Sequence, residues 1–68
     1  MKNLKRLRRD AGLSQHALAT KTGIHRWRIA HSELGMAELT EAEIAVIRKV
    51  LVDVSRKKSA RVLAELSA

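Results

Sequence analysis

The chain has 68 residues, with 14 Lys and Arg against 7 Asp and Glu for a formal net charge of +7, and no Cys or Pro. So short a chain supports one small core, which must be aliphatic because Trp27 is the only aromatic, and it leaves little room for a substrate pocket. The missing cysteines exclude disulfides and thiolate metal sites, no apolar run approaches a membrane span or signal segment, and the basic excess favours nucleic acid as partner, with an anionic membrane surface second.

The pattern of apolar residues predicts an all-α chain, a single domain over 1–68. A first helix over 2–11 places Leu4, Leu7 and Ala11 on one stripe, with Lys5, Arg6, Arg8 and Arg9 covering most of the rest. A second starts after Ser14, a good N-cap, and runs two turns to Lys21. A third is expected over 25–34. The fourth opens with Thr40-Glu41-Ala42-Glu43, a capping box, and runs to about residue 52 with Ile44, Ile47 and Leu51 inward. Asp53 to Lys58 reads as a basic-rich junction, and 59–66 as a short last helix using Val62, Leu63 and Leu66. No stretch has the alternation of a strand, and there is no repeat or linker.

The informative segment is 15–34: a two-turn helix, a glycine turn and a second helix of about ten residues, as in a helix-turn-helix unit. Such a pair needs a small residue where the helices approach, supplied by Ala19. It needs a left-handed residue in the turn, supplied by Gly23. Leu18, Ile24 and Ile29 are placed to lock the helices together.

These residues, with Leu-Ser-Gln at 13–15, Ala-Leu-Ala at 17–19, Thr-Gly-Ile at 22–24, Glu33, Gly35 and Leu-Thr-Glu at 39–41, resemble the lambda-repressor/Cro (XRE-like) helix-turn-helix family over 2–52. The resemblance implies a four- or five-helix domain whose third helix enters the major groove of DNA. It implies base-edge contacts from Arg26, Trp27 and His31, a phosphate contact from Gln15, and an Arg8–Glu33 ion pair joining the first and third helices. Arg28 and His25 are expected at phosphate. Two positions depart from the family pattern: Ser32 and Thr22 stand where aliphatic residues are usual, which is expected to weaken the hydrophobic lock.

Each of these residues has a plainer reading. Trp27 either meets DNA or packs on the second helix. Arg8 and Glu33 are otherwise two independent surface charges, and Gln15 a solvated helix start. The cluster Arg56-Lys57-Lys58 reads as a solvated junction rather than a nucleic-acid clamp. Val54, Val62, Leu63 and Leu66, in a candidate dimerisation region over 51–68, are expected to divide between completing the core and forming a dimer surface. His16, His25 and His31 lack metal-ligand spacing. No catalytic constellation occurs, so neither an enzyme nor a cofactor is expected. The function expected is a cytoplasmic, sequence-specific regulator of transcription, a repressor or autoregulator acting as a homodimer on palindromic double-stranded DNA. The alternatives are an antitoxin that also binds a toxin, and a basic protein acting on RNA or a membrane surface.

Overall fold

A computed structural model describes residues 1–67, and among them it contains helices only: α1 (Leu4–Asp10), α2 (Gln15–Thr22), α3 (Arg26–Glu33) and α4 (Glu41–Ser67). The first three lie within a few residues of the predicted spans. Their ends follow from local chemistry. The Ser14 hydroxyl accepts the Ala17 amide at 3.0 Å and so starts α2. Gly23 ends α2 at φ 75°, with its N–H returned to the Ala19 carbonyl. The capping box at the start of α4 forms in both directions: the Thr40 N–H donates to Glu43 Oε1 at 2.9 Å, and the Glu43 N–H donates to Thr40 Oγ1 at 3.1 Å.

The core draws on every helix. Leu4, Ala11, Leu18, Ile29, Leu39, Ile47 and Leu51 are buried, and Leu7, Leu13, Ala19, Ile24, Ile44, Val50 and Val54 pack partly buried around them. Helix α2 lies between α3 and α4, while α1 closes over α3. Leu18, Ile29 and Ile47 lose all solvent contact, one from each of the three helices that meet there.

The main departure from the sequence reading lies after residue 52. The expected junction and separate last helix are one element: α4 runs without a break for 27 residues. Nothing in the stretch interrupts a helix, since Gly and Pro are absent from 41–67. Lys and Arg are good helix formers, so a basic composition marks a solvated face rather than an end. The last side chains of α4 to reach the core are Leu51 and Val54. From Ser55 onward every described residue is exposed, including Val62, Leu63 and Leu66. Those three therefore do not complete the core, whereas Val54 does pack on it. The overhang gives the molecule extents of 45 × 19 × 19 Å and a radius of gyration of 13.1 Å, larger than the roughly 11 Å of a compact chain of this length. Its one hydrogen bond to another element among the described residues is Lys58 Nζ to the Asp10 carbonyl, 3.3 Å, at the C-terminal end of α1.

Packing of this kind separates positions on a single helix. Ile47→Ala is expected to cost about 2–5 kcal/mol, enough to unfold much of a chain this small. Val46→Ala, one residue earlier but 41% exposed, should stay within about 0.5 kcal/mol. Urea denaturation of the two variants distinguishes these outcomes.

Candidate nucleic-acid interface

Three features fix α3. The first is the turn before it. The Thr22 hydroxyl donates to the Leu18 carbonyl at 2.8 Å and accepts the Ile24 amide at 3.2 Å. The hydroxyl thus replaces the apolar contact an aliphatic residue would give with hydrogen bonds that join the end of α2 to the far side of the turn. Ser32, the other departure, is buried at its place in α3.

The second feature is a polar cluster beneath the helix. Arg8 Nε and Nη2 donate to the two carboxylate oxygens of Glu33 at 2.7 and 3.1 Å, a two-pronged pair whose side chains are 9% and 3% exposed. Arg8 Nη1 donates to the Leu13 carbonyl at 2.7 Å, and Gln15 Nε2 donates to Glu33 Oε1 at 3.2 Å. Burial alone would push the Glu33 carboxyl up. The hydrogen bonds from Arg8 and Gln15, with the charges of Arg8 and Lys5, outweigh burial and hold it below its usual range.

The third feature was not legible as a pair in the sequence. Arg28 was expected at phosphate, but its Nε and Nη2 donate to Glu43 Oε2 and Oε1 at 2.7 and 2.6 Å, and Nη2 also lies 3.4 Å from the Glu38 carbonyl. Its guanidinium carbon stands 5.7 Å from the centre of the Trp27 ring, within cation–π range. Glu43 was visible only as a capping residue; its second role depends on the fold of the loop between α3 and α4. Hydrogen bonds from Arg28 first, and from the Thr40 amide second, hold the Glu43 carboxyl at about 2 rather than the usual 4.5.

With α3 held from below, its tip is open. His25 precedes the helix, exposed and making no side-chain cap, and Arg26 is exposed in the first turn. Trp27 is 55% exposed and does not take the buried place on α2 that its plainer reading allowed. His31, one turn on, meets the Trp27 ring edge-to-face at 5.7 Å between centroids. Arg26, Trp27 and His31 thus share one helix, while Gln15 lies at the start of α2, tied to the end of α3 through Glu33. Val62, Leu63 and Leu66 lie apart from this group, on the overhang of α4.

Two short helices joined by a left-handed glycine, with the second buttressed from inside and open at its start, form a helix-turn-helix unit. A family model for helix-turn-helix proteins of the XRE type matches residues 4–52. The chain belongs to that lambda-repressor/Cro-like helix-turn-helix family. As a member, it is a DNA-binding regulator of transcription. No curated protein and no solved structure matches it. Among the described residues no helix is long and apolar enough to cross a membrane.

The ion pairs lead to two expectations for this helix-turn-helix protein. Glu33→Ala leaves the Arg8 charge buried without its partner and should cost about 3 kcal/mol, whereas Arg8→Met with Glu33→Leu together should cost less than the single change; thermal melts of both compare them. The second concerns acid. A carboxyl with a depressed folded pKa adds stability above its unfolded value, and that stability drains away as pH falls towards the folded one. For Glu43 the window runs from 4.5 down to about 2. Glu43→Gln keeps the capping geometry without the charge, so unfolding free energies measured across this window should fall less steeply than in the wild type.

Proposed function

We propose that this helix-turn-helix protein is a cytoplasmic homodimeric repressor or autoregulator that reads a palindromic operator with α3. Arg26 takes a guanine edge through two hydrogen bonds, the commonest specific contact in the major groove. Trp27 and His31, in edge-to-face contact, act as one unit against the neighbouring base pair, with Trp27 held by Arg28. The observation that carries this reading is the contrast within α3: Arg26 and Trp27 stand exposed at the tip of a helix whose Ile29, Ser32 and Glu33 are fixed by burial or ion pairing. A helix held in this way presents its tip in a defined pose, as base reading requires.

Gln15 and His25 are the phosphate contacts in this proposal. The side-chain nitrogen of Gln15 carries two hydrogens. Glu33 takes one, and the other is left for a phosphate oxygen, so the same amide ties the backbone contact to the reading helix. Arg28 becomes a positioning residue for Trp27 because Glu43 holds its guanidinium. Residues 1–68 act as one domain. One such domain covers half a site, and a two-fold pair reads a palindrome. In this proposal the pairing residues are Val62, Leu63 and Leu66, exposed on the overhang, with Val54 at its base.

Binding titrations against specific and scrambled duplexes test this reading. Arg26→Ala should cost about 1–3 kcal/mol on the preferred site and relax selectivity at one base pair per half-site. Gln15→Ala should weaken all duplexes about equally, because phosphate carries no sequence information. If 6–10 phosphates are neutralised, affinity should fall by roughly 10³–10⁵ between 50 and 200 mM salt. Equal losses on both duplexes for Arg26→Ala would show that α3 reads no bases through that residue.

A further inference from the structure

Past Val54 the face of α4 that packs on the core turns charged: Lys58, Arg61 and Glu65 continue the row of Ile47, Leu51 and Val54. A second row, farther round the helix, stays apolar or small: Val52, Ser55, Ser59, Leu63 and Leu66, at the three- and four-residue steps of a helix–helix seam. No described residue covers its apolar side chains; Val52, Leu63 and Leu66 are 47%, 63% and 78% exposed, and Val62 beside them 46%. Val52, Ser55, Ser59 and Leu63 form one wall of an open groove of about 1020 Å³, with Leu7 and Ala11 among the residues opposite.

We propose that this groove receives the α4 overhang of a second copy, lying antiparallel to the first about a two-fold axis at Ser59. The inference rests on the homodimer reading above and gives that dimer a geometry. Three observations support it. The row is complementary to its own reverse: seven residues either side of Ser59 stand Val52 and Leu66, and four either side stand Ser55 and Leu63. Each leucine therefore meets a smaller side chain, and Ser59 meets its own copy where the helices come closest.

Charge agrees with this direction. The last described turn of α4 carries Glu65 and no basic residue. The groove it would enter is edged by three cations, Lys2, Arg48 and Arg56, against one carboxylate, Asp10. The third observation is length. From Ser59 back to Ile47, at the centre of the core, is 12 residues, or roughly 18 Å of helix. Reflected through the axis, the two cores stand roughly 36 Å apart along α4, close to the 34–36 Å between successive major-groove half-sites.

The chain has no cysteine of its own, so single introduced thiols report the register directly. Val52→Cys and Leu66→Cys both change exposed positions, and circular dichroism confirms that the variants fold. Under mild oxidation, an equimolar mixture of the two is expected to form a disulfide-linked dimer, while each variant alone remains largely uncrosslinked. Sedimentation of the wild type, free and on operator DNA, is run beside it. Strong self-crosslinking of Val52→Cys alone would overturn the antiparallel register and leave the homodimer standing. A sedimenting dimer with no crosslink in either experiment would place the pairing elsewhere and also overturn the inference. A monomer under all conditions, DNA included, would overturn the homodimer reading itself.

Discussion

The guanidinium of Arg8 reaches three parts of the chain at once. It pairs with Glu33 at the end of α3, takes the Leu13 carbonyl in the loop before α2, and through Glu33 shares the side chain of Gln15 at the start of α2. The core is small, with seven apolar residues buried among those described, and aliphatic packing alone tolerates sliding of one short helix over another. A two-pronged ion pair tolerates little, because both partners are nearly dry and neither can turn away without leaving a charge unpaired. The orientation of α3 on α1 and the placement of Gln15 follow from that geometry. It is the constraint on which the outward face of α3 depends.

A second pair works on the opposite side of α3. Glu43 accepts from Arg28 and, with the same carboxylate, from the amide of Thr40 that opens α4. One side chain therefore both starts a helix and holds the guanidinium that lies against Trp27. Stiffness at the tip of α3 and order at the start of α4 are coupled through it, and the loop between them is pinned at both ends. Between Glu33 below and Glu43 beside it, α3 is held by two carboxylates whose pKa values lie below the ordinary range.

Much of this was legible in the sequence, where the signal was local or where a short motif carries its own mechanism. The helix ends at Ser14 and Gly23, the capping box at Thr40 and Glu43, and the inward stripe of Ile44, Ile47 and Leu51 all depend on residues within a turn of each other. The meeting of Arg8 with Glu33, 25 positions apart, came only through family resemblance. The Arg28–Glu43 pair had no such guide, and Arg28 looked like one more cation on a basic helix. Thr22 looked like a defect in an apolar lock, because composition does not show which way a hydroxyl points. The run Asp53 to Lys58 looks like a break in the sequence because its polarity resembles that of a loop. A helix that leaves its core can turn mostly polar without ending, and only a true breaker such as Gly or Pro would have marked an end.

The overhang of α4 also affects how the chain's order is distributed. Thirteen residues of helix in water are marginal alone, because the first turn must be fixed before any hydrogen bond repays it. Here the folded part of α4 supplies that first turn, so the overhang inherits a nucleus and adds only elongation. What it lacks is a surface to lie on. Anything that covers its apolar row stabilises the folded chain in proportion to the logarithm of its own concentration. Where the covering surface belongs to another molecule of the same protein, how well ordered this half of α4 becomes is set by abundance.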